Sequence, residues 1–364
     1  MKKIASVVGA RPNFIKLAPI HKLINSQEHK NKFEHIIIHT GQHYDYELSE
    51  IFFSEFKLSP PNYNLNIGSS TPCIQIAEMI KKLEHFFQSN KIDLVLVYGD
   101  TNSTFAGALA AIKSSIKVAH VESGLRSFDR EMPEEINRIL TDHISNFLYP
   151  PTKTAIENLN AENIQGEIIF TGDISVEIIK DAEAKICNSS ILEKLNLEPK
   201  EYYLFTLHRS ENTNFECLKT IINIFKKIPH SKIVFPIHPR TTKILQRNNL
   251  YNKLKECNNV ILIDPVGYID FINFIKCASK VITDSGGTQK EAYLLNTPCI
   301  TIRNNTEWIE TISEGWNILT GIDVEKTTDA IINWFPQNLS THNPIFGNGK
   351  TSNIIVNHLK KVLE

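Results

Sequence analysis

Short apolar runs alternate with longer amphipathic stretches along this whole chain, and no other feature limits its possible folds so strongly. Ile4–Val8, His35–His39, Leu94–Tyr98, Val118–Val121 and Ile168–Phe170 read as strands in the first half. Tyr203–Leu207, Lys232–Pro236, Val260–Ile263, Lys280–Thr283 and Cys299–Ile302 read as strands in the second. Cys73–Phe87, Asn137–Leu148 and Leu218–Lys227 carry helical periodicity between them. Strands that are apolar throughout, not at alternate positions, are buried on both faces, as in a parallel sheet covered by helices. Two such sets predict an α/β chain of two Rossmann-like domains facing a cleft.

The length of 364 residues agrees, being too great for one ordinary core. Domains are expected at residues 1–171 and 172–350, with the chain crossing near Thr171–Ala184. The last helix, Thr351–Leu363 within 351–364, is expected to pack back on the first domain. With 39 basic against 40 acidic residues the net charge is -1, which argues against a nucleic-acid binder that relies on a bulk basic surface. A small anionic ligand needs only a local positive site. No apolar run approaches the roughly 18 residues of a membrane span and no secretory signal pattern opens the chain, so a cytoplasmic protein is expected. Its six cysteines form no Cys-x-x-Cys pair and read as buried free thiols.

Four strand-end loops carry unusual polar residues. In Gly9-Ala-Arg-Pro-Asn-Phe-Ile-Lys16, Gly9 permits a tight turn and Pro12 suits a first helical turn. Arg11 and Lys16 then stand near a helix N-terminus, where anions bind, although an ordinary turn with surface cations has the same pattern. Two glycines of the dinucleotide fingerprint are missing. In Tyr98-Gly-Asp-Thr-Asn-Ser-Thr104, Asp100 follows a strand directly and is either a functional acid or a cap. His120–Arg138 packs five carboxylates and three arginines behind an apolar run. Glu134, Arg138 and Asp142 share one helix face, with Ile136, Leu140 and Phe147 on another. Glu134, Glu135 and Asp142 are explained by helix electrostatics alone, but Glu122 at the strand end is not. In Thr283-Asp-Ser-Gly-Gly-Thr-Gln-Lys-Glu291, the small residues suit either backbone N–H groups closing on a phosphate, with Glu291 about one turn on for a ribose, or simply a tight strand-to-helix turn. His208 and His238 close adjacent strands beside arginines, which suits a phosphorylated ligand. No metal-ligand spacing or nucleophile elbow is present.

Gly9-Ala-Arg-Pro…Lys16, Thr40-Gly-Gln-His43, Gly99-Asp-Thr101, His120-Val-Glu-Ser-Gly-Leu-Arg126, Pro133-Glu-Glu-Ile-Asn-Arg138, His208-Arg209, Asp284-Ser-Gly-Gly287 and Glu291-Ala292 occur in that order. Together they resemble the UDP-N-acetylglucosamine 2-epimerase family, in its non-hydrolysing form. The resemblance spans essentially the whole chain. It implies a glycosyltransferase-B-like fold, a homodimer, a UDP-sugar substrate, and no metal or nicotinamide cofactor. It also implies inversion at C2 of the sugar by elimination and re-addition of UDP, in the supply of cell-surface polysaccharide precursors. By resemblance, Asp100, Glu122 and Glu134 are the acid–base residues and His208 steadies the departing UDP. Arg11 and Lys16 contact the diphosphate, Ser285, Gly286 and Gly287 bind a phosphate, Glu291 holds the ribose, and Phe271 packs near the uracil.

The chain departs from the family pattern in two places. Arg303-Asn-Asn-Thr-Glu-Trp-Ile-Glu310 stands where Arg-Asp-x-Thr-Glu-Arg-Pro-Glu is common, and Asn13 stands where Glu or Gln is frequent. His43-Tyr-Asp-Tyr46 and Thr306-Glu-Trp-Ile-Glu310 resemble a subgroup that acts on UDP-2,3-diacetamido-2,3-dideoxyglucuronic acid. The competing readings are that epimerase, a hydrolysing epimerase, a glycosyltransferase of the same architecture, and a non-catalytic UDP-sugar binder.

Overall fold

A computed structural model of the chain describes residues 1–42, 55–56, 58–207, 209–228, 230–337 and 343–364. Their contacts divide them into two compact units, Met1–Ile178 with Pro344–Glu364, and Ile179–Asn343. The first division falls inside the helix Ser175–Glu183, beyond position 171. Buried Ile174, Val176 and Ile178 and the Glu177 carboxylate, which accepts from the Ser352 backbone at 2.8 Å, keep the start of that helix in the first unit. The terminal helix Thr351–Leu363 belongs to the first unit as well, with Ile355, Val356 and Leu359 fully buried.

The first unit holds a parallel sheet of β1 (Lys2–Val8), β2 (Phe33–His39), β3 (Tyr63–Asn64), β4 (Leu94–Tyr98), β5 (Lys117–Val121), β6 (Phe147–Tyr149) and β7 (Glu167–Ile168), in the order β3-β2-β1-β4-β5-β6-β7. Ile4 registers with His35 on one side and Leu94 on the other. Val95, Val97, Val7 and Ile38 on the sheet pack against Met79, Leu83 and Phe86 of the helix Pro72–Ser89 and the alanines of the helix Asn102–Lys113. The second unit repeats the plan with β8 (Tyr202–Thr206), β9 (Lys232–Pro236), β10 (Val260–Ile263), β11 (Lys280–Thr283), β12 (Cys299–Thr301) and β13 (Asn317–Leu319), ordered β10-β9-β8-β11-β12-β13. Phe205, Phe225 and Phe235 meet edge-on in its core.

Several sequence expectations need correction. The strand expected at Ile168–Phe170 pairs only over Glu167–Ile168, and Phe170 is exposed. The helical stretch Asn137–Leu148 ends early, at Ile144, in a helix that starts at Pro133 as its first-turn proline suggests, and Phe147 and Leu148 belong to β6. Its supposed apolar face is the outer one, since Leu140 is exposed while Glu135, Asn137, Arg138, Thr141 and Asp142 are buried. Of the six cysteines only Cys257 and Cys299 are buried; Cys73 and Cys187 are exposed because they fall on the outer sides of their segments.

One buried group ties the first unit to pH. His35 Nε2 lies 2.7 Å from Ser6 Oγ, which is also 2.7 Å from the Tyr98 hydroxyl, and His35 Nδ1 lies 3.0 Å from His21 Nδ1. Burial, with the neighbouring His21 second, pushes the His35 ring from 6.5 down to about 3. The unfolded chain therefore binds a proton between those values that the folded chain refuses, so stability falls as pH drops through that window and is complete above it. About 3 kcal/mol is expected to be lost from this group by about pH 4. Urea unfolding at neutral and acid pH checks this. His35→Gln should flatten the dependence, and an unchanged slope removes His35 as its cause.

Candidate active site

In a doubly wound sheet the crevice opens where strand order reverses, at the carboxyl ends of the strands. In the first unit that point lies between β1 and β4, so the Gly9–Lys16 and Gly99–Thr101 segments leave the sheet there. In the second unit it lies between β8 and β11, at the loops that lead from Thr206 and Thr283.

Glu122 follows β5 directly and has φ +68, the left-handed region that a side chain other than glycine enters at a cost of about 1–3 kcal/mol. Its backbone N–H donates to the Tyr149 carbonyl at 3.1 Å. Its carboxylate, 9% exposed, meets the Lys16 ammonium, 12% exposed, in a short ion pair. Gly99 turns beneath that pair at φ +63, and a Cβ there would stand 2.8 Å from Lys16 Nζ. A side chain there would push the lysine aside and would strain the backbone, which glycine does not. Asp100, next in the chain and 30% exposed, receives Arg138 Nη2 at 2.6 Å. Arg138 also donates to Glu135 at 2.8 Å, and Asn137 Nδ2 donates to the Asp100 carbonyl at 2.9 Å. Asn13 is 1% exposed; its Oδ1 accepts from the N–H groups of Gly9 and Ala10 and from the Thr101 hydroxyl, and its amide donates to the Tyr98 carbonyl. It ties the loops after β1 and β4 together.

A layer of buried charge lies behind these groups. The Glu135 carboxylate accepts from the N–H groups of Ser127 and Phe128, both at 2.9 Å, and so shapes the loop after Arg126. Asp142 and His120 are wholly buried 2.7 Å apart, and Arg126 joins Asp142 at 2.7 Å and grips Glu162 with two further bonds. Burial alone would raise the Asp142 carboxyl, but the hydrogen bond and charge of His120, with Arg126 beside it, hold it below the usual carboxylate range.

In the second unit, Ser285 caps the helix Gly286–Leu294, its hydroxyl accepting from Thr288 N–H at 3.4 Å. Gly286 and Gly287 open that helix, so their N–H groups have no acceptor within it, the arrangement that favours anions at helix N-termini. A Cβ on Gly286 would come within 2.0 Å of Glu307 Oε1, and Glu307 is held by Arg303 at 3.0 Å, so a side chain here would force one of them to move. The buried Asp284 accepts from Arg209 N–H at 3.0 Å and Asn212 Nδ2 at 3.1 Å, which fixes the turn after β8 against the end of β11. Trp308 is buried, with the Lys290 ammonium 4.4 Å above its ring.

The structure thus brings Lys16, Asp100 and Glu122 to one sheet edge, with Arg11 half-buried at the start of its helix. Glu134 stands half-buried in the first turn of the helix Pro133–Ile144, beside the fully committed Glu135. Ser285, Gly286 and Gly287 are contiguous; Glu291 lies half-buried further along their helix, and Phe271 is half-buried on the packed neighbour Tyr268–Cys277. His208 and the His43–Tyr46 segment lie outside the described residues. Sequence reasoning missed Asp142, Glu135 and Glu307, because a helix-face pattern does not say which side of a polar helix turns inward. Among the described residues, no group of three His, Cys, Asp or Glu side chains is placed to hold a metal.

The model of the family described as UDP-N-acetylglucosamine 2-epimerase matches residues 25–360. A Methanococcus maripaludis protein named a UDP-N-acetylglucosamine 2-epimerase homolog is 53% identical over 363 residues, covering 99% of this chain and 100% of its own. The UDP-2,3-diacetamido-2,3-dideoxy-D-glucuronate 2-epimerase of Pseudomonas aeruginosa is 38% identical over 367 residues, covering 99% of this chain and 100% of its own. The crystal structure of Methanocaldococcus jannaschii UDP-GlcNAc 2-epimerase, in complex with UDP-GlcNAc and UDP, superposes with a TM-score of 0.92 at 44% identity, over 99% of each chain.

Proposed function

Since the chain belongs to the UDP-N-acetylglucosamine 2-epimerase family, we propose that it interconverts UDP-N-acetylglucosamine and UDP-N-acetylmannosamine without net hydrolysis. The observation that carries this reading is Glu122, held in a strained conformation at a strand end against Lys16, with Asp100 on the adjacent strand end. A carboxylate takes the C2 proton, the C1–O bond breaks, and its electron pair leaves with UDP, giving a bound glycal. A diphosphate oxygen then adds back to C1 as a proton reaches the opposite face of C2. A C2 proton is weakly acidic, so the departing diphosphate must be stabilised in the same step. Lys16 and Arg11, and the Gly286 and Gly287 N–H groups with the Ser285 hydroxyl, are the donors suited to it, the Ser285 N–H being taken by Thr283 Oγ1. Asp100, Glu122 and Glu134 serve as acid–base residues, Glu291 takes the ribose and Phe271 the uracil side, and His208 completes the set. No helix among the described residues is long and apolar enough to cross a membrane. A cytoplasmic homodimer that supplies a cell-surface polysaccharide precursor fits this reading.

NMR at C2 in D2O tests the reading directly. Incubation with UDP-N-acetylglucosamine is expected to give deuterium at C2 in intact UDP-sugar of both configurations. Free UDP with free N-acetylmannosamine would instead establish the hydrolysing reaction, and no exchange would sink the epimerase reading. The buried Trp308, in place of an arginine, favours a second reading in which the sugar is a diacetamido uronic acid. Faster exchange on that nucleotide sugar would decide for it.

A further inference from the structure

The helix Pro133–Ile144 turns charge inward, and Asp142 occupies the middle of that face with no exposure to solvent. Its Oδ1 lies 2.7 Å from His120 Nδ1, and its Oδ2 accepts from Gly124 N–H at 3.0 Å and Arg126 Nη1 at 2.7 Å. The other ring nitrogen of His120, Nε2, lies 2.7 Å from the Gly99 carbonyl oxygen. A carboxylate and a carbonyl only accept, so both ring nitrogens must donate. A neutral ring would set a lone pair against one of these oxygens.

We propose that His120 is a buried imidazolium, and that the Asp142–His120 pair positions the acid–base residues of the epimerisation; the inference rests on the function proposed above. The Gly99 carbonyl belongs to the turn that delivers Asp100, and the Gly124 N–H belongs to the turn that follows Glu122. One buried carboxylate therefore grips one turn directly and the other through the imidazolium. Arg126 adds a second cation, and Glu162, at 2.7 Å through two bonds, adds a second anion. The four charges cancel, which offsets the burial of Asp142, His120 and Arg126, while Glu162, 27% exposed, reaches solvent. Asp142 touches no reacting atom in this scheme. It holds Asp100 and Glu122 to the tolerance that proton transfer at carbon demands.

The test compares wild type with Asp142→Asn and Glu162→Gln by C2 exchange, KM, UDP affinity and long-range 15N spectra of the histidines. Asp142→Asn is expected to lower kcat about 100-fold while KM and UDP affinity stay within about twofold. The His120 ring should show two protonated nitrogens in wild type and one in the variant. A role in stability alone would lower the melting temperature yet leave exchange per folded molecule at the wild-type rate, and that outcome overturns the proposal. Where Asp142→Asn does not fold, Glu162→Gln decides, since that carboxylate is 27% exposed and buttresses Arg126, with only the half-exposed His143 beside it at 3.8 Å. A fall in kcat of about threefold or more at unchanged KM supports the inference, and a wild-type kcat overturns it. A wild type that exchanges no C2 proton sinks the proposed function itself. A wild type that exchanges, beside an unimpaired Asp142→Asn, leaves the function standing and removes this inference alone.

Discussion

Glu122→Gln is expected to lower C2 exchange on UDP-N-acetylglucosamine by about three orders of magnitude while UDP binds within about twofold of wild type. The amide has the shape of the carboxylate and can still accept from Lys16, but it cannot take up a proton. The backbone at φ +68 should persist, because the Glu122 N–H bond to Tyr149 and the Gly124 bond to Asp142 are made by the main chain. The loss should therefore fall on kcat and leave KM alone, as expected for a group whose work is done in the transition state. Neutralising the partner of Lys16 also frees its charge for the diphosphate, so any change in UDP affinity should be toward tighter binding. Exchange within about tenfold of wild type would remove Glu122 from the acid–base set.

Gly286→Ala should act on the other half of the reaction. A single methyl at this position would overlap Glu307 Oε1 at 2.0 Å and crowd the Trp308 ring nitrogen at 3.4 Å. Glu307 cannot swing away freely, because Arg303 holds it and both side chains are about 95% buried. Either that ion pair breaks inside the protein or the first turn of the helix moves off its position. Overpacking of this kind costs about 1–3 kcal/mol, and the displaced N–H groups should weaken UDP binding by at least about tenfold. Calorimetric titration with UDP measures the second effect and thermal melting the first. Gly287→Ala is the matched comparison, since a Cβ there would meet only Ser285 Oγ, at 3.9 Å. It should leave the melting temperature unchanged. UDP binding to Gly286→Ala at wild-type affinity would show that this turn is not the phosphate cradle.

The pattern of apolar runs was enough to place the strands of both sheets that carry the site, because a strand covered on both faces leaves a continuous apolar signature. β3, β6 and β13 escaped it: Tyr63–Asn64 is two exposed residues, Phe147–Tyr149 reads as the end of the helix before it, and Asn317–Leu319 opens on a polar residue. Asp100, Glu122 and Ser285 were legible for a related reason: each follows a strand at the edge where this fold binds ligands. By sequence pattern Asp142 is a helix-electrostatics charge and Leu140 lies on an apolar helix face. The structure reverses both, since the space under that helix is filled by His120, Arg126 and Arg138.

Sequence alone determined the α/β class, the strand-end loops and the residue types at them, because backbone periodicity and turn chemistry act over a few neighbouring positions. Tertiary structure alone decided which charges meet. Asp142 finds His120 and Arg126 at separations of 22 and 16 residues, and Asp100 finds Arg138 at 38. Such pairings are fixed by burial, where an ion without its partner is too costly to keep, and that constraint leaves no mark on local sequence.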